Sequence, residues 1–343
     1  MIHRPSLSAD PVRNRRVLQE ALDTVPAGKL ELPPGTHVIA DGLRVPGGWT
    51  VRGSEVAGAN GGRPGSWLQS TGTTGHPVLH VTGSGVSISD LGLRPPPADP
   101  GEHGGDRGTG LTIGDYLYDT APAWISGVDV RRVHVSRPGE RHANCVAVMG
   151  AVRDVTLHDI TVHGGYTGVA VHWGAVGADV STIVGPTFHP HDLTITDLRV
   201  RGAIEGFYLS SVHDATVVGG CHTDVEFGFR LLPGDNTDRW APSSYDGTAP
   251  HIGSNIEIAD QCVSWTGPRY GARVAGWGRS EVDGLVSELE YANAVIRDCR
   301  LIGAGSGEQW SPILIERARG VELRDIVAAT SGQCSCAVGG NAR

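Results

Sequence analysis

Four polar residues recur at matching places in a short repeated segment. Tyr208, Arg230 and Arg273 are each the third residue of a segment that begins with Gly, namely GFYLSS, GFRLLP and GARVAG. His172 is the fifth residue of an earlier copy, GVAVHW. Tyr and His side chains transfer protons, and arginine stabilises a carboxylate or enolate oxygen. We therefore predict a catalytic group in which Tyr208 and His172 are acid and base and the two arginines hold an anionic oxygen of the substrate.

The two arginines also need a partner for their charge, because stacked cations repel each other. That partner is either a carboxylate of the protein or a carboxylate of a bound molecule, and the sequence leaves both open. The protein carboxylates that fit the repeat are Glu226, Asp235 and Glu316. The same three are the candidates for a carboxylate pair that would hydrolyse or transfer a glycosidic bond.

Substrate binding is assigned to aromatic and polar side chains near these segments. Aromatic rings stack on sugars and also line apolar pockets. Besides the three carboxylates, the substrate-binding candidates are Trp173, Ser210, Trp240 and Trp277. Loop tryptophans also pack beneath their own loops, so this alternative stays open.

No metal or cofactor site is predicted. The sequence HPHD holds His189 and His191 two residues apart, a spacing that can point both rings the same way on a strand. Two histidines alone are a weak metal signal, so we predict no metal, and whether this pair binds one stays open.

The segments that carry these residues alternate with a second repeated phrase. It places two runs of alternating apolar residues around an Asp corner, as in VSISDLGL, VTLHDITV and LTITDLRV, and VDVRRVHV is a copy without Asp. This is the pattern of strand, turn and strand. Successive Gly-led segments begin as little as about 22 residues apart, a length that holds three short strands. The sequence therefore predicts an all-β, single-stranded right-handed parallel β-helix whose corner aspartates are structural.

The chain is predicted to form a single β-helix domain over residues 1–343, because no linker-like stretch divides it. Residues 1–28 are an N-terminal segment with a short capping helix at 11–25, and residues 29–343 are the coils. Long insertions at 115–127, 174–192, 234–255 and 277–293 follow the Gly-led strands. Stacked coils would bring these loops to one edge, where they wall a groove above the outward residues.

The repeats, the capping helix and the phrase KLELPPGTHVIADGLRV resemble the pectate-lyase-like right-handed β-helix superfamily. This resemblance covers nearly the whole chain and implies the fold, but lyases, hydrolases, epimerases and non-catalytic spikes share that fold. Members that catalyse elimination or epimerisation of uronate sugars combine Arg or Lys with Tyr and His. The chain lacks the GHG, Asp-Asp and RIK signatures of the polygalacturonases and a clear acidic cluster of the calcium-dependent lyases. Hydrolysis of that type and a calcium requirement are therefore disfavoured.

Charge and composition limit the partners and the location. A formal net charge of −9 disfavours nucleic acid and anionic membranes as partners. The first residues are polar, and no stretch approaches transmembrane length, so we predict a cytoplasmic protein with reduced cysteines. A homo-oligomer is compatible with the sequence.

The predicted function combines these observations. We expect an intracellular lyase or isomerase that performs elimination, epimerisation or cyclisation on a small molecule or oligosaccharide bearing a carboxylate or enolate, in a biosynthetic pathway or elsewhere. A glycoside hydrolase or transferase and a non-catalytic carbohydrate-binding β-helix are the alternatives.

Overall fold

The structure is a computed structural model that describes residues 1–54, 64–73, 75–97, 107–177, 187–232, 251–267, 270–276, 278–282, 285–303 and 311–329. It contains one α-helix and 28 strands in these ranges, and the strands form three sheets. The predicted residues Asp235, Trp240 and Trp277 lie outside the described residues.

The largest sheet, sheet A, has 16 strands. Its strands are β1 Ile2–His3, β2 Gly28–Glu31, β3 Gly35–Ile39, β5 Trp49–Arg52, β6 Ser66–Ser70, β8 Ser87–Arg94, β11 Val128–Arg137, β13 Arg153–Gly164, β17 His191–Arg201, β19 His213–Val225, β21 His251–Trp265, β23 Gly278–Val282, β24 Leu285–Arg297, β25 Arg300–Gly303, β27 Glu322–Arg324 and β28 Val327–Ala329.

Sheet B has nine strands, and a third, small sheet has three. Sheet B contains β4 Leu43–Val45, β7 Leu79–Val81, β9 Leu111–Gly114, β12 Val146–Met149, β14 Thr167–His172, β18 Glu205–Ser210, β20 Phe227–Leu232, β22 Tyr270–Ala275 and β26 Ser311–Glu316. The small sheet contains β10 Leu117–Tyr118, β15 Gly174–Val176 and β16 Thr187–Phe188.

Parallel pairing between successive coils builds the fold. In sheet B each strand pairs in parallel with the strand one coil before it, from β4 to β26. The chain passes to sheet A between these strands and returns, which gives the predicted right-handed parallel β-helix. The prediction of a single domain over 1–343 stays a prediction.

Stacked apolar columns form the core. The alternation of side chains along each strand sends every second residue inward, so residues in register lie one above another. Val169, Phe207 and Phe229 make one such column, and the rings of the two phenylalanines stack with centroids 5.0 Å apart. All three side chains are fully buried.

The repeated Asp marks a corner in the left-handed backbone region. Asp90, Asp159, Asp197, Asp260, Asp298 and Asp325 all have φ between 49° and 60°. Arg132 takes the same conformation, with φ 52°, in the copy that lacks Asp. Asp and Asn tolerate this region better than other residues with a Cβ atom. The structural role predicted for the repeated Asp is confirmed.

A second row of corners was not recognised in the sequence. Asp154, Asp192, Asp214, Asn255 and Asn293 have φ between 48° and 57°. The amide of Asn255 donates to the carboxylate of Asp214 at 2.8 Å, so neighbouring corners are bonded side chain to side chain. The mixture of Asp with Asn, and with Gly in other coils, hides this repeat.

The capping helix α1 spans Pro11–Thr24 and confirms the predicted helix, one residue shorter. Asp10 is its N-cap, and the Asp10 carboxylate accepts from the amides of Val12 and Arg13 at 2.9 and 3.2 Å. Leu18 and Leu22 are fully buried against the first coil. In the described ranges, the structure has no helix that is both long and apolar enough to span a bilayer.

The insertions differ in structure. Parts of 115–127 and 174–192 pair through β10, β15 and β16 of the small sheet. Residues 277–293, predicted as a loop, include an antiparallel hairpin of β23 and β24. Whether the four insertions together wall a groove stays a prediction.

The cysteines correct one expectation. Cys221 and Cys262 are in register on β19 and β21, and both are disulfide-bonded rather than reduced. Cys145 and Cys299 are free and buried. Burial raises the pKa of the Cys145 thiol to about 12, so it is not a reactive thiolate at neutral pH.

Candidate active site on sheet B

The outward residues of sheet B form the row that the repeat spacing predicts. Ala170, Tyr208, Arg230 and Arg273 are in register on four successive strands, β14, β18, β20 and β22. Tyr208 and both arginines are half-buried. Adjacent parallel strands lie about 4.8 Å apart, so each polar side chain is within reach of the next.

Tyr208 lies at the centre of a contact group. The ring of His172 meets the ring of Tyr208 edge-on, with centroids 5.3 Å apart. On the following coil the guanidinium carbon of Arg230 lies 5.1 Å from the Tyr208 ring centroid and 5.5 Å from that of Phe227. The structure therefore brings three of the four predicted catalytic side chains into direct contact.

Glu205 anchors Arg230 and was missed in the sequence. Both carboxylate oxygens of Glu205 accept from Arg230, Oε1 from Nε and Oε2 from Nη2, the latter at 2.7 Å. Glu205 is fully buried, and Thr167 donates a further hydrogen bond to its Oε2 at 3.2 Å. Burial alone would lower the pKa of Arg230, but the charge and hydrogen bonds of Glu205 outweigh burial and raise that pKa well above its ordinary value. Arg230 is therefore a permanent cation beside the phenol of Tyr208.

Arg273 has a carboxylate of its own. Glu316 accepts from Nη2 and Nε of Arg273 at 2.8 and 3.2 Å. The two stacked arginines are thus neutralised separately, by Glu205 and Glu316, without a carboxylate from a bound molecule. Glu316 was one of the predicted partners.

Glu226, another predicted partner, does not contact Arg230 through an ion pair. Its carboxylate pairs with Nη1 of Arg141 at 3.2 Å, and both side chains are more than a third exposed. Nη2 of Arg141 also donates to the carbonyl oxygen of Ala203 at 3.2 Å. Glu226 therefore bonds the segment that carries Arg141.

Two predicted substrate-binding residues are buried within the protein. Trp173 is 1% exposed and packs against Tyr116, with ring centroids 5.0 Å apart. Trp173 therefore fits the alternative interpretation, in which a loop tryptophan packs beneath its own loop. Ser210 is fully buried, and within the described residues its hydroxyl has no hydrogen-bond partner. Direct contact of either with a substrate is not supported by this geometry.

His189 and His191 are held by other side chains. His189 bonds Thr187 through Nε2 at 2.9 Å and His213 through Nδ1 at 3.0 Å. Nδ1 of His191 bonds the carboxylate of Asp192 at 2.8 Å. In the part of the chain that the structure describes, no three His, Cys, Asp or Glu side chains are arranged to hold a metal ion.

Solved structures share this architecture. The enzymatically active domain of tailspike protein 2 from bacteriophage CBA120 superposes with a TM-score of 0.59 at 12% identity, over 91% of this chain and 40% of that one. The likeness shows the fold, a right-handed parallel β-helix. No protein-family model and no curated protein sequence matches the chain.

Two further structures show the range of proteins with this fold. Tailspike protein gp49 from the Acinetobacter baumannii bacteriophage Fri1, a capsular polysaccharide depolymerase, gives a TM-score of 0.55 at 11% identity, over 92% of this chain and 55% of that one. An alginate lyase from Paenibacillus sp. str. FPU-7 gives 0.51 at 13% identity, over 93% of this chain and 99% of that one. The chain thus spans about half or less of the tailspikes and nearly all of the lyase. Identities this low show the fold alone.

Proposed function

We propose that the protein is a lyase or epimerase that acts on an acidic carbohydrate, with Tyr208 and His172 as the proton-transferring pair. The contact of His172, Tyr208 and Arg230 on one outward face of sheet B carries this proposal. Two groups that exchange protons and one fixed cation are what removal of a proton next to a carboxylate requires.

The proposed chemistry begins at the carbon next to the uronate carboxylate. His172, as base, takes the proton of that carbon, and negative charge develops on the carboxylate oxygens. Arg230 and Arg273 stabilise this charge through N–H groups that Glu205 and Glu316 do not use, since a guanidinium has five. In elimination, Tyr208 gives its proton to the leaving glycosidic oxygen as the C–O bond breaks and the double bond forms. In epimerisation, Tyr208 returns a proton to the opposite face of the same carbon.

An oligosaccharide or polysaccharide is the substrate that we favour over an unrelated small molecule. The fold relatives named above include an alginate lyase and a capsular polysaccharide depolymerase, which supports a carbohydrate. Glycoside hydrolysis is less well supported, because it needs a protonated carboxyl group. Among the described residues, Glu205, Glu226 and Glu316 are each engaged by an arginine side chain, so none of them is a free carboxyl group that could act on a glycosidic oxygen.

We also propose that the protein is located in an oxidising compartment. The Cys221–Cys262 disulfide favours an oxidising compartment, because cytosolic thiols are kept reduced. It therefore argues against the cytoplasmic location predicted from the sequence. Thiol alkylation and mass spectrometry of the protein from its native cells would show whether both thiols are protected, and alkylation of both would restore the cytoplasmic proposal.

Absorbance of unsaturated uronate products tests the activity. The protein is incubated with alginate, polygalacturonate and their oligosaccharides, and proton exchange into deuterated water reports epimerisation. We expect turnover in the wild-type protein and a loss of at least about 100-fold in Tyr208→Phe, within the range of general acid catalysis. Tyr270→Phe is the matched control. Tyr270 is on β22 of the same sheet and packs against Phe227. Equal activity of Tyr208→Phe and the wild-type protein would refute the assignment.

A further inference from the structure

A separate cavity lies at the N-terminal end of the coil stack. It has a volume of about 380 Å³ and is lined by residues of α1, β4 and β7 and the segments next to them. Arg15 and Gln19 come from the helix, Arg44 from β4, and His80 from β7. This size is in the range of pockets that hold small ligands.

The lining carries two guanidinium groups, those of Arg15 and Arg44. Among the described residues, Arg15 and Arg44 make no ion pair, and Nε of Arg15 is buried without a hydrogen-bond acceptor. Asp23 is the carboxylate of the lining, and it accepts from Nε2 of Gln19 at 3.0 Å. Two cations that line one cavity and make no ion pair among the described residues attract an anion into it.

The surrounding side chains hold the cavity open in one geometry. The amide of Gln19 accepts from the backbone N–H of Arg44 at 2.9 Å and donates to its carbonyl oxygen at 3.0 Å. Nε2 of His80 bonds the carbonyl oxygen of Gly114 at 2.9 Å, and Nδ1 of His76 bonds Asp41 at 2.9 Å. The two histidines are thus engaged outside the lining, and the two arginines are left to bind a ligand.

We propose that this cavity is an oxyanion site in which Arg15 and Arg44 bind a carboxylate, sulfate or phosphate group. These groups share the paired oxygens that match a guanidinium. The site is distinct from the Tyr208 group: Arg44 is on the first strand of sheet B, in register with His80 on the second, and lies six strands and roughly 29 Å from Arg230. The proposal does not depend on the lyase activity.

Calorimetric titration of the full chain tests the site with two probes, inorganic phosphate and a single uronate sugar. We expect binding of at least one probe to the wild-type protein and an affinity at least about 10-fold lower in Arg15→Gln and in Arg44→Gln, the loss of one charged hydrogen bond or more. Tighter binding of phosphate would identify a free anion as the ligand, and tighter binding of the uronate would identify an acidic sugar.

Arg16→Gln is the matched control, because Arg16 is on the same helix but pairs with Glu20 on its exposed side. It should bind like the wild-type protein. Arg44→Lys keeps the charge and should retain part of the affinity, so a folding defect of the Gln variant can be separated from the loss of the site. No binding of either probe, or equal binding by wild-type and Gln variants, would overturn the proposal. Because binding is measured without turnover, failure here says nothing about the lyase proposal.

Discussion

The fully buried Glu205 binds Arg230 through both carboxylate oxygens, and this ion pair holds the guanidinium next to the ring of Tyr208. The carboxylate comes from β18 and the cation from β20, so the contact joins two coils. If the Arg230 guanidinium moved to solvent, the buried carboxylate of Glu205 would be left without a partner, which is costly. The charge beside Tyr208 is therefore fixed in place before any substrate arrives.

Glu205→Gln is expected to lower the free energy of unfolding by about 3 kcal/mol or more, because it removes one partner of a buried ion pair. The matched variant Glu226→Gln breaks a pair that is more than a third exposed and should cost less than about 1 kcal/mol. Urea unfolding of both variants measures the difference. Similar losses would mean that Glu205 does not hold Arg230 through a buried ion pair.

The disulfide is expected to contribute measurably to the free energy of unfolding. Cys221 and Cys262 close a loop of about 40 residues, and the double change Cys221→Ala, Cys262→Ala should cost about 2–4 kcal/mol. Adding a reductant to the wild-type protein should have the same effect. The free cysteines Cys145 and Cys299 give the control, since their replacement by Ala should leave the response to reductant unchanged.

The corner conformation predicts that Ala and Gly at position 197 differ in their effect on stability. The φ of Asp197 is 55°, a region that costs a residue with a Cβ atom about 1 kcal/mol or more and costs Gly little. Asp197→Ala should therefore lower the urea midpoint, whereas Asp197→Gly should stay close to the wild-type protein. If the alanine variant were as stable as the glycine variant, the corner would not depend on the left-handed conformation.

Acid should destabilise the protein through a buried histidine. Burial lowers the pKa of His222 from 6.5 to about 4, although Nε2 bonds the side chain of Gln261 at 3.1 Å. Below pH 6.5 the unfolded chain takes up a proton at this position before the folded chain does. Stability is therefore complete above that pH and is lost as the pH falls toward 4, by about 3 kcal/mol.

Urea unfolding between pH 7.5 and 4.5 follows this loss. His222→Gln should show a smaller decline with falling pH, and His163→Gln, at an exposed position, should decline like the wild-type protein. The loss of stability that remains in His222→Gln as the pH falls has a second source, His189. Burial and the neighbouring His213 hold the pKa of His189 well below its ordinary value. An unchanged decline in His222→Gln would exclude His222 as a source.

Side-chain alternation explains why the row Tyr208, Arg230 and Arg273 was predictable. A period of two fixes which residues face outward, and the repeat length fixes which coils lie next to each other. Glu205 escaped the same argument because it precedes the Gly that begins its segment, so it was not among the positions compared from coil to coil.

Contacts between residues far apart in the sequence were harder to predict. Cys221 and Cys262 belong to neighbouring coils that are separated in sequence by an insertion, which hides their register. The cavity of Arg15 and Arg44 arises where α1 meets the first strand of sheet B, and its shape depends on helix docking rather than on any repeat. Repetition predicts what each coil shares, whereas these features occur once.

The amide of Gln19 has a consequence beyond the cavity it borders. A stack of parallel strands could in principle grow at its end by accepting a strand from another molecule, the route by which exposed sheet edges aggregate. At the first strand of sheet B, the backbone N–H and carbonyl groups of Arg44 are already taken by that one amide. The Gln19 side chain thus occupies the two backbone groups through which Arg44 could pair with an added strand, and an added strand would have to displace it.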